Sequence, residues 1–355
     1  HGIVNGPAVG GGRGRGSLGR AVAIQPNGRI VVVGKATSSD GSGRDGLLVE
    51  RYRANGGLDR SFGSGGVVNL FADSFGDGYA VALEPSGAIV AAGSDDATGS
   101  GGTAPRVALA RLSASGHPDG SFGSHGLDVI DLGAYSYALG VAVARGGKLV
   151  IAGSQSPGLQ ATNALVGRLT PSGRLDHSFR GSGYYAHQYA RQAAFSAFNA
   201  VAVRGNGQIV TAGTATSSGL TGYAIVARFR GSGAPDGSFG SGGVAYARSA
   251  VDYLTNGTSF PGANGLTVLP NGEVIAAGRF NTSVESKLAL WAFTAGGRPA
   301  GGFGSHGSSV LTLHNSPNSE GAAIAQAGTS AVVVAGDEDQ LGKPFGGLIA
   351  RYGAR

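Results

Sequence analysis

Four arginine–aspartate pairs share one spacing, and they are the residues of this chain best placed to do chemistry. They are Arg51 with Asp59, Arg111 with Asp119, Arg168 with Asp176, and Arg228 with Asp236, each pair eight residues apart. A ring of arginines could bind an anionic substrate, but the pattern of loss points to structure. Where a fifth pair is due stand Ala292 and Ala300, again eight apart. Joint loss is what an ion bridge requires, because removing one member strands a desolvated charge at a cost of about 3–5 kcal/mol. The four pairs are therefore expected to be structural.

Other candidates lack the spacing or setting that their chemistry needs. Gly14-Arg15-Gly16-Ser17-Leu18-Gly19 has the GxGxxG form, yet a hairpin follows it, so no helix N-terminus would meet a pyrophosphate. The GxSxG elbow of a hydrolase nucleophile is absent, and no Ser-His-Asp set has a strand–turn–helix context. Asp95-Asp96 and Asp337-Glu338-Asp339 offer oxygen ligands without the spacing of a calcium loop, and read as solvated loops. His125 and His306 occupy matching Gly-Ser-His-Gly positions of different repeats, so they point to separate places and not to one metal. Asn256-Gly257-Thr258 and Asn281-Thr282-Ser283 have the glycosylation form. Trp291 and Phe293 break the repeat at a strand position and read as core. No cofactor and no metal is expected.

These residues sit in a repeated frame. Ala21 to Gly34 holds two apolar runs around Pro26-Asn27-Gly28, a tight hairpin in which proline presets φ and glycine takes the positive φ. Its final glycine recurs as Gly34, Gly93, Gly153, Gly213, Gly278 and Gly336, at steps of 59, 60, 60, 65 and 58 residues. A fixed period of this size is one supersecondary unit repeated. Each unit reads as four strands; in the second they are 66–71, 79–84, 88–93 and 106–112. The hairpin strands are apolar at nearly every position, which predicts cover on both faces of each sheet. Six such sheets arranged radially give an all-β, six-bladed β-propeller of four-stranded antiparallel blades with about 60 residues per repeat. A β-solenoid fits less well, since its coils are shorter. The chain reads as one propeller domain over 1–355, with repeats at approximately 1–56, 57–116, 117–173, 174–233, 234–297 and 298–355.

A second signature follows the last strand of each unit: Arg51-Tyr52, then Gly57-Leu58-Asp59-Arg60-Ser61-Phe62-Gly63-Ser64-Gly65-Gly66, with counterparts over 111–126, 168–183 and 228–243. With the Pro-Asn-Gly and Pro-Ser-Gly hairpins, this connector resembles the bacterial delta-60 repeat, a propeller-like repeat of undefined function. The resemblance covers the whole chain. It implies a bacterial protein that is secreted or exposed on the surface, and it brings no catalytic residues with it.

Composition narrows the classes further. Hydrophobic residues at 41% against 14% charged exclude disorder, and 68 glycines without a Gly-X-Y period exclude collagen. The net charge of +6 is mild for 355 residues, and the aromatic interleaving of single-strand readers is missing, so nucleic acid is not an expected partner. No apolar run approaches the roughly 18 residues of a membrane span, so no insertion is expected. Polar loops such as 36–43 and 94–100, and an insertion at 253–260, are where binding would reside. The start at His1 suggests processing, hence export to the cell surface or beyond.

The ends carry one more expectation. His1-Gly2-Ile3-Val4-Asn5 matches 65–69, while the chain stops after the strand at 348–352, so the connector between them is missing. Arg351 is then a buried arginine without an aspartate of its own, its carboxylate supplied from another place in the fold, such as the C-terminus of Arg355, or by a neighbouring copy. Open strand ends predict head-to-tail self-assembly. The sequence thus predicts a non-enzymatic structural or adhesive surface module that partners itself, with glycans as a further ligand class. The rivals are a lectin-like glycan-binding module and a hydrolase with a site at the channel mouth.

Overall fold

Short apolar runs bounded by glycine turns become strands, and among the described residues the sole helical element is a 3-10 turn at Arg145–Gly147. The computed structural model describes residues 17–37, 45–70, 76–95, 104–133, 135–158, 161–190, 195–217, 222–248, 262–281, 285–311, 318–329, 331–339 and 346–353. The chain divides into two compact units, 1–159 with 167–177, and 160–166 with 178–355. Among the described residues no helix is long and apolar enough to cross a membrane.

In the first unit β1 (Ser17–Ile24), β2 (Ile30–Thr37), β3 (Asp45–Tyr52) and β4 (Val67–Leu70) pair in that order as one antiparallel sheet. A second sheet has β5 (Asp77–Leu83), β6 (Ile89–Asp95), β7 (Arg106–Leu112) and β8 (Leu127–Ile130) in the same order. β9 (Tyr135–Val143) and β10 (Leu149–Gly158) begin a third, and β11 (Ala161–Leu169) is shared between the two units. In the second unit β12 (Tyr184–His187) pairs with β11. There β13 (Phe195–Val203), β14 (Ile209–Thr216), β15 (Gly222–Phe229) and β16 (Val244–Arg248) run antiparallel. They are followed by β17 (Gly262–Val268), β18 (Val274–Asn281), β19 (Ser286–Phe293) and β20 (Ser308–Val310), then by β21 (Asn318–Gln326), β22 (Ala331–Asp339) and β23 (Gly346–Gly353).

Three sequence expectations are corrected here. The strand at 66–71, expected to open its repeat, instead closes the preceding quartet: Glu50 pairs with Val67 and Leu47 with Leu70. The connector turns the chain back, because Asp59 N donates to Arg51 O at 2.8 Å, Gly66 N to Phe62 O at 2.7 Å, and Arg51 N to Gly66 O at 3.1 Å. Six separate four-stranded sheets are also not what the hydrogen bonds give. A single parallel bridge, Ser286 to Asn318, joins β17–β23 into one seven-stranded sheet, and Thr162 to Phe195 joins β11 to β13 in the same way. Finally, cover on both faces fails for β1, where Val22 and Ile24 are 62% and 69% exposed.

The recurring glycine has a physical cause. A Cβ on Gly34, Gly93, Gly153 or Gly336 would lie 1.8 Å from the carbonyl oxygen of Leu18, Asp77, Tyr137 or Glu320, and on Gly213 or Gly278 it would lie 1.9 Å from that of Ala197 or Gly262. In each case the carbonyl belongs to the partner strand of the hairpin, beside a shift of register. The bulge presses backbone against backbone, so that no side chain fits. Between these hairpins the sheets pack directly. Val31, Val33, Leu47 and Val49 of the first sheet meet Ile89, Ala91, Ala110 and Leu112 of the second, with Phe62 at the base. In the second unit Trp291 and Phe293 are each 2% exposed and belong to the core, as the bland reading of that break in the repeat had it.

The bulge makes a prediction: Gly213→Ala should cost about 1–3 kcal/mol or more, since the clash is with backbone and cannot relax by a rotamer change. Gly237→Ala, where an added Cβ meets nothing within 4 Å, should be close to neutral. Urea denaturation of both variants checks this.

Candidate functional site

In three of the four pairs the arginine is held at four points. Arg51 Nε donates to Asp59 Oδ2 at 3.0 Å, Nη2 reaches Ser61 Oγ at 3.5 Å, and Nη1 donates to the carbonyl of Ala114, one repeat further on. Its Cζ stands 4.5 Å from the centre of the Phe62 ring. Arg111 repeats this with Asp119 at 2.9 Å, Ser121 at 2.8 Å, the Pro171 carbonyl at 2.5 Å and the Phe122 ring at 5.0 Å. Arg228 does so with Asp236 at 2.8 Å, Ser238 at 2.9 Å, the Ala295 carbonyl at 2.5 Å and the Phe239 ring at 4.8 Å. Arg168 Nε donates to Asp176 Oδ2 at 2.8 Å. The guanidinium therefore latches its connector to the next repeat.

The aspartate is held from the other side as well. Ser61 gives Asp59 Oδ1 both its hydroxyl, at 2.7 Å, and its amide, at 3.2 Å. That hydroxyl, opposed by burial and helped by the Ser61 amide, Arg51 and Arg29, keeps the Asp59 carboxyl below its ordinary pKa. A further donor comes from the exit of the hairpin turn. Arg29 reaches Asp59 at 2.9 Å, Lys148 reaches Asp176 at 2.8 Å, and Gln208 donates to Asp236 at 3.1 Å. Neither the serine nor this donor was identified from sequence. The serine was legible, because Asp-x-Ser-Phe recurs at 59–62, 119–122, 176–179 and 236–239.

The fifth repeat keeps the backbone of the latch and loses its side chains. Ala300 N donates to Ala292 O at 2.9 Å, Phe303 N to Ala300 O at 2.9 Å, and Gly307 N to Phe303 O at 3.0 Å, matching the fourth repeat, where Asp236 N meets Arg228 O at 2.8 Å, Phe239 N meets Asp236 O at 2.9 Å, and Gly243 N meets Phe239 O at 3.0 Å. With alanine at 292 and 300 and Gly302 in place of the serine, a cavity of about 620 Å³ opens. Phe303 lines it, half-buried, whereas Phe62, Phe122, Phe179 and Phe239 are fully buried under their latches. Thr294, Ser309 and Tyr352 bring hydroxyls, and Glu273 brings the only charge on the described lining. Glu273 occupies the place of Gln208, so the residue that donates to an aspartate elsewhere is here a carboxylate. The Tyr352 hydroxyl is buried and has no hydrogen-bond partner, and burial raises its pKa.

The remaining candidates do not assemble into a site. Asp95 is paired with Arg106 at 3.0 Å, and Asp96 lies outside the described residues, as do His1, Gly2, Ile3, Val4, Asn5, Arg355 and the insertion at 253–260. Arg351 is exposed on β23, which corrects the expectation of a buried arginine in need of a carboxylate: the strand turns it away from the sheet that Tyr352 packs against. His125 and His306 have φ of 56° and 53°, the left-handed position held by Gly65 and Gly242 in other repeats, with Nδ1 beside the hydroxyl of the preceding serine. Among the described residues no group of three or more His, Cys, Asp or Glu could hold a metal.

A family model described as "Domain of unknown function (DUF5122) beta-propeller" matches residues 25–62 and 84–122. It supports a propeller-like repeat of unknown function over these stretches of the chain. No curated protein sequence matches. Among solved structures, a glucose dehydrogenase is 15% identical over 95% of this chain and 96% of its own, with a TM-score of 0.51. The α-L-arabinofuranosidase Arb93A of Fusarium graminearum is 8% identical over 94% and 93%, with a TM-score of 0.51. A protein of unknown function from Dyadobacter fermentans is 12% identical over 97% and 96%, with a TM-score of 0.49. These are likenesses of fold. They correct the expectation of a non-enzymatic, self-assembling adhesive module, because named structures with this fold are enzymes.

The latch predicts that Arg228→Ala, which leaves a buried carboxylate, costs about 3–5 kcal/mol, and that Arg228→Ala with Asp236→Ala costs less than the single change. Its acid sensitivity follows from Asp59. A carboxyl held below its ordinary value adds stability that is complete above an unfolded pKa of about 3.9 and is lost as pH falls through the lower folded value. Acidification below about pH 4 should therefore destabilise the wild type more steeply than Asp59→Asn. Urea midpoints measured across that range test both statements.

Proposed function

We propose that the chain is an enzyme built on a six-bladed propeller, and that it takes a small polar substrate of about monosaccharide size into the fifth-repeat cavity. The six-fold recurrence of the bulge glycine supports the blade count, each glycine marking one hairpin. The observation that carries the function is the cavity itself. A pocket of about 620 Å³ falls within the roughly 300–1,000 Å³ of small-molecule sites. It unites one carboxylate, three hydroxyl side chains and the side of an aromatic ring.

Each group has a role in this reading. The Phe303 ring offers an apolar face to a sugar ring. Thr294 and Ser309 exchange hydrogen bonds with substrate hydroxyls. Glu273 binds the substrate and exchanges a proton with it, as a general acid or base. The enzymes that share the fold, a glucose dehydrogenase and an arabinofuranosidase, bear on sugars by their names, and this motivates the choice of substrates to test.

Glu273→Gln should leave the melting temperature unchanged, since glutamine stands at the same place in the fourth repeat. It should lower turnover of neutral chromogenic monosaccharide glycosides by about 10²–10⁴-fold. Ala300→Leu, which fills the cavity, should abolish their binding. Binding and turnover that survive both changes would remove the pocket from the account.

A further inference from the structure

From the chemistry of the latch we infer that the fifth-repeat cavity recognises a cationic group, a guanidinium or an alkylammonium, on its ligand. The inference rests on the reading of this cavity as the substrate site and names the substrate class. In the first, second and fourth repeats the same backbone cage surrounds a guanidinium, seated on a phenylalanine ring and paired with a carboxylate. The fifth repeat retains the ring, as Phe303, and retains a carboxylate, as Glu273, while both members of the native ion pair are gone.

The sign of the charge is what distinguishes this niche. The hairpin-exit position supplies donors to an aspartate in three repeats, from Arg29, Lys148 and Gln208. Where the aspartate is missing, that position is acidic. A glutamate beside Asp236 would repel it, whereas beside Ala300 it leaves the cage with one net negative charge facing a cavity and an aromatic side chain. No arginine or lysine contributes to the described lining, and Arg204, whose Nη2 a Cβ on Gly272 would meet at 3.1 Å, donates through Nη1 to Gln208 Oε1 at 2.8 Å. A ligand cation entering the niche would place its N–H donors at Glu273 and its flat face or methylene on Phe303.

The test uses a charged fragment and its neutral isostere. Methylguanidinium chloride and N-methylurea, nearly equal in size and shape, are titrated into the full chain by NMR at low ionic strength. Saturable binding of methylguanidinium should be about ten-fold or more tighter than that of N-methylurea, because its contact with Glu273 is charge-assisted. The preference should vanish in Glu273→Gln, persist in Glu273→Asp, and weaken with added salt. Equal binding of the two fragments would overturn the inference while leaving the pocket as a site for neutral substrates. Failure of methylguanidinium to bind would also overturn it, and whether neutral glycosides still bind would decide if the pocket falls with it. A preference that survives Glu273→Gln would place the cation elsewhere on the protein.

Discussion

A buried guanidinium fastens one repeat to the next, and the connectors of the first, second and fourth repeats are closed around it. Arg51, Arg111 and Arg228 each spend one nitrogen on the aspartate of their own connector and another on a carbonyl of the following repeat. Burying an ion this deeply is expensive unless its hydrogen bonds are met. Here the aspartate, the serine, the carbonyl and the ring meet them together. Around it the connector folds back, and β4, β8 and β16 pair with the sheet just completed. Repeats linked in this way need no long loops, and their stability is largely a sum over neighbours.

The fifth repeat shows which part of the latch is backbone and which is side chain. Its connector closes with the same hydrogen bonds although arginine, aspartate and serine are all absent. The glycines, the phenylalanine and the proline bridge to the preceding strand are enough to shape the cage. Once the side chains are dispensable to the fold at one place, the space that they would fill becomes available to a ligand. An interior void of this size would be a liability in a well-packed protein. Open to solvent and lined by a carboxylate and hydroxyls, it is instead a place where selection could act on binding.

Much of this was legible in the sequence, and what was not has identifiable causes. The glycine period and the eight-residue arginine–aspartate spacing are local patterns, and they located the hairpins and the connector. The paired loss at Ala292 and Ala300 was visible for the same reason. That the loss opens a cavity was not, because it depends on the backbone staying in place, which Ala300 and Ala292 show only through their hydrogen bond. Glu273 was missed because its relation to position 300 is non-local: it lies one hairpin strand and one further strand away in the chain. The strand 66–71 was given to the wrong quartet because apolar pattern alone cannot tell on which side of a connector a strand pairs. The exposure of Val22 and Ile24 has no sequence signature at all, since both lie in a hairpin strand as apolar as those that are covered.

The fifth-repeat cavity is the latch niche with its side chains removed. A crystal structure of Ala292→Arg with Ala300→Asp tests this most directly. The introduced guanidinium should lie in the cavity, on the Phe303 ring, within hydrogen-bond distance of the introduced carboxylate, with the backbone of residues 292–307 unmoved. An introduced arginine that points into solvent while the cavity stays open, or a connector that rearranges to accommodate the pair, would contradict it.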